Sequence, residues 1–288
     1  MTRPPQRGPA PSALTLLVSL GIAASLGAVV YGVSSSLPFL ASSSVADTHF
    51  GALNACALAS VKPPRTGFAV SSDGRALAAF SGAETVRCEL LGDGGAVGER
   101  VPLDGVTAAA FDFDGGLWLA RQTLYRAGDG GVEAFGQVAP VALAGTAAGA
   151  VAVEQSGRVV LVEPGGAVRA VSQLPKPVFG PATLISSGDG ERVALLISGG
   201  VFVWKTEGLK LLRAEAPCAV EAGWWLTEGH RLLLACGPDA DFALEWDVDT
   251  GAQAAAPQRK ARSRSALVPG LKLYVQGCEQ LACTAAPP

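Results

Sequence analysis

Hydrophobic residues fall along most of this chain in short runs, and nearly every run is introduced by a turn that contains glycine. Ser72-Asp73-Gly74 precedes RALAAF, Asp114-Gly115-Gly116 precedes LWLARQ, Gln155-Ser156-Gly157 precedes RVVLVE, and Asp189-Gly190-Glu191 precedes RVALLI. Glu228-Gly229-His230 before RLLLAC and Val268-Pro269-Gly270 before LKLYVQ complete the series. With Gly74, Gly115, Gly157, Gly190, Gly229 and Gly270 as markers, a unit of roughly forty residues recurs six times, the length expected of a solenoid or propeller repeat. The interval from Gly157 to Gly190 is shorter than the rest, which predicts that one unit lacks its edge strand.

Each unit reads as strand, turn, strand, turn, strand, with a weaker fourth segment. The second turn follows CELL at Gly92-Asp93-Gly94-Gly95, LYRA at Gly128-Asp129-Gly130-Gly131, VFVWK at Thr206-Glu207-Gly208 and LEWDV at Asp249-Thr250-Gly251. Glycine and aspartate suit such corners because they accept the positive φ of tight hairpin turns. Runs such as RVVLVE and RLLLAC are apolar on both strand faces, whereas a sheet with one wet face would alternate. Both faces are therefore covered, as they are when four-stranded blades pack radially about an axis. The expected fold class is all-β, a β-propeller of six blades; seven blades or a divergent pair of β-sandwiches are the alternatives. ALNACALASV at residues 52–61 precedes the first copy and is expected to supply the outermost strand that the last copy lacks.

Three phrases carry a resemblance. Phe113-Asp114-Gly115-Gly116-Leu117-Trp118-Leu119 is similar to the D-x-x-G-x-L-W phrase of sensor-type and streptogramin-lyase-type propellers, one residue shorter between Asp and Trp. Glu245-Trp246-Asp247-Val248-Asp249-Thr250-Gly251 resembles the W-D-x-x-T-G end of a WD-type blade, and Val70-Ser71-Ser72-Asp73-Gly74-Arg75-Ala76-Leu77 resembles the S-x-D-G-x-x-L of TolB-like blades. The resemblance covers residues 65–285 loosely and implies propeller architecture, not one family. Gly229-His230 stands too close ahead of Trp246-Asp247 for the usual WD-repeat spacing.

The exception to the short-run pattern is Ala13 to Val33, which carries no charge. As a helix rising ~1.5 Å per residue it reaches across the ~30 Å hydrocarbon layer of a membrane. Arg3 and Arg7 precede it and the first charge after it is Asp47, so the positive-inside rule puts the N-terminus in the cytoplasm. The expected organisation is a short cytoplasmic tail at 1–12, a transmembrane signal anchor at 13–33, a Ser-rich tether at 34–51 and the propeller domain at 52–288. A cleaved signal peptide ending near Ser44-Val45-Ala46 is the competing reading. The expected location is a cytoplasmic (inner) membrane crossed once, with the bulk of the chain periplasmic or otherwise extracytoplasmic.

Composition narrows the partners. The 288 residues are 49% hydrophobic and only 16% charged, with a net charge of −3, which disfavours nucleic acid. Arg259, Lys260, Arg262 and Arg264 form the single basic cluster, a candidate interaction patch. Six cysteines, Cys56, Cys88, Cys218, Cys236, Cys278 and Cys283, make an even set that an oxidising compartment would keep as disulfides. Cys278 and Cys283 flank a predicted hairpin, Cys218 and Cys236 lie either side of the Gly229 turn, and Cys56 and Cys88 are left to each other; formally every connectivity stays open.

Candidate chemistry is sparse. His49 and His230 are the only histidines, and no C-x-x-C, P-loop, G-x-S-x-G or H-E-x-x-H phrase occurs. The pairs Asp112/Asp114, Asp239/Asp241 and Asp247/Asp249 would put carboxylates on one face of a strand, a spacing that cation sites use. Trp118, Trp204, Trp224, Trp225 and Trp246 are expected in the core, with one of the adjacent pair Trp224-Trp225 at a rim or blade interface. The expectation is a non-enzymatic interaction or scaffold module without cofactor, binding a protein or cell-envelope partner. The alternative is a propeller enzyme of lyase or lactonase type with a divalent cation in the central channel.

Overall fold

The computed structural model describes residues 45–62, 65–128, 130–198, 200–226, 229–237 and 242–256, together with two strands at 265–268 and 273–276. The strands form antiparallel meanders. β1 (Arg65–Val70), β2 (Ala76–Ser81), β3 (Thr85–Leu90) and β4 (Ala96–Val101) make the first sheet, and β5 (Ala108–Phe111), β6 (Leu117–Ala120), β7 (Leu124–Gly128) and β8 (Gly131–Phe135) the second. β9 (Pro140–Thr146), β10 (Gly149–Glu154), β11 (Arg158–Val162) and β12 (Val168–Gln173) make the third; β13 (Ala182–Ser186), β14 (Arg192–Ile197), β15 (Gly200–Lys205) and β16 (Lys210–Glu215) the fourth. β17 (Val220–Trp225), β18 (Arg231–Cys236), β19 (Phe242–Asp247) and β20 (Gln253–Ala256) form the fifth, and β21 (Ser265–Val268) pairs with β22 (Leu273–Gln276). Among the described residues there are thus five four-stranded sheets and one two-stranded sheet.

The first strands of successive sheets lie beside one another: β1 by β5, β5 by β9, β9 by β13, β13 by β17, and β17 by β21. Burial follows from that arrangement. Second strands are sealed on both faces, with every residue of β2 and β6 buried, whereas the fourth strands β4, β8, β12 and β16 are largely exposed or half-exposed. The alternation within a second strand decides which neighbour each residue meets. Trp118 and Ala120 of the second sheet pack with Ala150, Ala152 and Val160 of the third, while Val151, Val153 and Leu161 turn the other way to meet Val193, Leu195 and Trp204 of the fourth. Ala194 and Leu196 then face Leu232, Leu234 and Trp246 of the fifth. Sheets apolar on both faces, expected from the sequence, are therefore the structural fact that joins neighbour to neighbour.

Close approach of the inner strands leaves no room for side chains at some positions. A Cβ added at Gly145 of β9 would lie 1.7 Å from the carbonyl oxygen of Phe111 in β5. Glycine there lets two backbones meet.

Two sequence expectations need correction. Residues 52–61 do not form a strand: Val45–Ser60 is a helix, α1, that includes the last residues assigned to the tether. Leu53, Ala57 and Val61, four residues apart, fall on one face of a helix, Ala and Leu are strong helix formers, and the prolines at 63 and 64 end the run. The three residues are buried against Leu77, Ala79, Val86 and Cys88. Helix α1 thus covers the face of the first sheet that points away from the second; the opposite face, through Ala76, Ala78 and Phe80, packs on Leu117 and Leu119.

The phase of the repeat is the second correction. Gly74, Gly115, Gly190 and Gly229 all sit between the first and second strands of their sheets, each at positive φ. Gly157 sits instead between the second and third strands, β10 and β11. Its sheet has all four strands, so the short interval after it marks a shift of phase and not a missing strand. The compact sheet is the second, whose strands are only four or five residues long. Gly270 lies outside the described residues.

Candidate interaction surface

In an antiparallel meander the first-to-second and third-to-fourth turns share one end of the sheet, and the second-to-third turns share the other end with the connections between sheets. The turns at Gly74, Gly115, Gly190 and Gly229 therefore gather on one loop face, and their polar groups are spent on holding the turns. Ser71 Oγ donates to Asp73 Oδ1 and accepts the Ala76 N–H at 2.8 Å, while Asp73 Oδ1 also accepts the Arg75 N–H at 3.0 Å. Ser187, Asp189, Arg192 and Glu191 repeat that network in the fourth sheet. In the second sheet Asp112 takes the place of the serine. Its Oδ1 accepts the N–H groups of Asp114 (3.1 Å) and Gly116 (2.6 Å), and its Oδ2 accepts Trp118 Nε1 (2.9 Å) and Arg126 Nη2 (3.2 Å).

The fourth and fifth sheets are tied by the same economy. Arg192 donates to the Gly229 carbonyl at 3.0 Å and to Asp249 Oδ2 at 3.1 Å; Arg213 donates to the carbonyls of Val248 and Asp249 at 2.8 and 2.7 Å. Asp247 closes the β19–β20 turn by accepting the N–H groups of Thr250 (2.8 Å) and Asp249 (3.0 Å). The Thr250 N–H, above all, holds the Asp247 carboxyl below the ordinary aspartate range, and His230, 3.8 Å away, lowers it further. Asp112 and Asp114, and Asp249 beyond the end of β19, therefore stand in or beside turns, not side by side on a strand as expected. No group of three His, Cys, Asp or Glu side chains converges on a metal-sized site among the described residues.

The tryptophans divide as expected. Trp118, Trp204 and Trp246 are sealed in the core, and the neighbours Trp224 and Trp225, both buried, join different clusters. Trp225 lies at a sheet interface, its Nε1 donating to the Ile185 carbonyl of β13 at 3.2 Å.

The four cysteines among the described residues are paired. Cys56 of α1 is bonded to Cys88 of β3, with Cα atoms 6.2 Å apart, and Cys218 to Cys236 of β18, with Cα atoms 5.8 Å apart, both within the usual span. Cys278 and Cys283, the basic cluster Arg259, Lys260, Arg262 and Arg264, the pair Asp239/Asp241 and the apolar stretch 13–33 lie outside the described residues. Among the described residues no helix is long and apolar enough to cross a membrane.

The opposite loop face differs in character. Between the second and third sheets the turns at 121–123 and 155–157 and the connection at 136–139 frame a cleft of about 430 Å³. Arg121, Gln122, Gln137, Val141, Gln155 and Ser156 line it and are exposed. The next connection, residues 174–181, abuts its wall: the Val178 N–H donates to the Gln155 carbonyl at 2.9 Å and Gln173 Nε2 to the Ser156 carbonyl at 3.0 Å. That connection carries Phe179, 71% exposed. Sequence reasoning missed this cleft, whose residues come from three separate connections and the adjoining ends of β9 and β10.

Radial four-stranded meanders whose first strands touch in succession define a β-propeller. Solved structures bear this out. The hydrazine synthase of Kuenenia stuttgartiensis aligns at a TM-score of 0.56 with 13% identity, over 75% of this chain and 75% of that one. The Cps50 (Swd1) β-propeller domain of Myceliophteria thermophila aligns at 0.57 with 14% identity, over 75% of this chain and 81% of that domain. At such identities the likeness is one of fold. No protein-family profile and no curated protein sequence matches the chain.

Proposed function

We propose that this chain is a membrane-anchored, extracytoplasmic β-propeller of six blades that serves as a non-enzymatic interaction or scaffold module for a protein or cell-envelope partner. The observation that carries the reading is the division of labour between the two loop faces. On the marker-turn face Asp112, Asp247, Arg192 and Arg213 are committed to hydrogen bonds within and between sheets. The other face leaves polar and apolar side chains exposed around a cleft. Two disulfides support a location outside the cytosol, where thiols are oxidised, and the uncharged stretch 13–33 supports the anchor.

Two measurements on intact cells test it. External protease added to spheroplasts should degrade the propeller, and crosslinking mass spectrometry on native membranes should find protein neighbours at loop residues. A propeller protected from protease overturns the topology, and the absence of any neighbour at any loop overturns the scaffold role.

A further inference from the structure

Neighbouring sheets meet closely at their inner strands, and most interfaces are bridged further out as well. Between the second and third sheets the Phe135 ring covers Gly166, 2.3 Å from where a Cβ on that glycine would be, and Gln137 Nε2 donates to the Gly166 carbonyl at 3.2 Å. Between the third and fourth, Trp204 Nε1 donates to Ser172 Oγ of β12 at 3.1 Å. Between the fourth and fifth, Arg213 of β16 holds the carbonyls of Val248 and Asp249. The first and second sheets differ. Among the described residues no hydrogen bond or ion pair joins β3 or β4 to β7 or β8.

Strand register assigns the side chains that face each other there. The Arg87 guanidinium of β3 lies 5.7 Å from the centre of the Phe111 ring in β5, so that side of the first sheet faces the second. Side chains alternate along a strand, and residues directly opposite one another share a face. Glu89 therefore lies on the same face, as do Glu99 and Val97 of β4, which stand opposite Arg87 and Glu89. From the second sheet Tyr125 and Val132 pack toward the first, and Ala134 stands opposite Tyr125. Burial falls outward along this interface. Phe80, Leu117 and Leu119 are buried, Tyr125 and Val132 are half-buried, Ala134 is exposed and Val97 is 51% exposed. The two sheets thus spread into an open groove with apolar walls. Among the described residues Arg87 is the one cation on the facing sides of these strands, and Glu89 is already paired with it. Glu99 has no ion-pair partner among the described residues, so the lip of the groove carries net negative charge.

We propose that this groove receives a basic segment of a partner protein, with a large apolar side chain seated between Val97 and Val132 and a lysine or arginine against Glu99. The surface lies on the outer wall of the propeller, so the proposal goes beyond the reading above, which concerns the loop faces. Opposite charge at a rim steers encounter and selects partners, while desolvated apolar surface supplies the anchor.

The test uses the full chain in its native membrane with a benzoylphenylalanine photo-crosslinker at Ala134, on the outer lip, or at Gln122 on a loop face. Captured peptides are read by mass spectrometry. Expected is capture from position 134 of segments with Lys or Arg within a few residues of a large apolar side chain. Capture should fall ~10-fold when Glu89→Lys and Glu99→Lys are combined, fall with Val97→Ala, and persist with Glu99→Asp. An unchanged thermal melt verifies that the double variant folds; should it not, Glu99→Lys alone, which breaks no ion pair, decides by the same fall in capture. Capture of acidic segments, of this chain's own residues 257–264, or to an extent indifferent to charge reversal overturns the proposal. Capture from position 122 alone overturns the proposal and leaves the interaction reading standing; capture from neither position sinks both.

Discussion

Asp112 Oδ2 accepts the indole N–H of Trp118 at 2.9 Å, a bond between two side chains that solvent barely reaches. The same carboxylate takes a guanidinium hydrogen from Arg126, whose charge lies 5.6 Å from the Trp118 ring centre. One buried acid thereby fixes the first turn of the second sheet, its largest core residue and its third strand. Asp112→Ala would strip four donors of their acceptor and leave Arg126 without its counter-charge, so a loss of ~2–4 kcal/mol is expected. Trp118→Phe removes one hydrogen bond and part of the ring, so a smaller loss of ~1–2 kcal/mol is expected. Urea unfolding midpoints of the purified domain check both, and Asp112→Ala matching wild type would refute the structural role.

Two glycines should respond in opposite directions to alanine. At Gly145 the new methyl would meet the Phe111 carbonyl at 1.7 Å, forcing two inner strands apart at a cost of ~3 kcal/mol or more. Gly51 lies exposed in α1 with no atom within 4 Å of an added Cβ. Alanine there should stabilise by ~0.5–1 kcal/mol, because glycine surrenders more backbone freedom on entering a helix. Thermal denaturation of the two variants should show shifts of opposite sign.

Acid should weaken the fifth sheet through Asp247. Its carboxyl titrates below the ordinary aspartate value of ~3.9 because the Thr250 N–H stabilises the charged form. A group depressed in the folded state stabilises it above the unfolded pKa, and that contribution disappears as pH falls through the folded pKa. Wild type should therefore lose stability below about pH 4 more steeply than Asp247→Asn, with no such difference in slope near neutrality. Unfolding midpoints measured from pH 2 to 7 for both proteins decide the matter; parallel curves would exclude Asp247 as a contributor.

The parts of the fold that were legible in the sequence are those governed by local chemistry. Turn residues such as Asp73-Gly74 and Asp189-Gly190 announce themselves because positive φ and side-chain capping are satisfied within a few residues. The same locality misled at Gly157, since Gln155-Ser156-Gly157 offers identical chemistry one turn later, while the corner between β9 and β10 is Ala147-Ala148 and sends no signal. Helix α1 was hidden because Ala and Leu at residues 52–60 suit either secondary structure until the sheet that they cover is known. The aspartates two apart looked like neighbours on a strand because spacing alone does not show that the next glycine bends the chain. Arg121, Gln137, Val141 and Gln155 meet only through tertiary structure, so no window of sequence holds the cleft.

Helix α1 shields the sheet that follows it directly in the chain, and the Cys56–Cys88 bond fastens the two together. During synthesis that cluster is complete long before the last sheets leave the ribosome, and its loops are short enough to close early. A nascent chain with only its leading third made therefore need not leave that apolar face open to aggregation while it waits for the remainder.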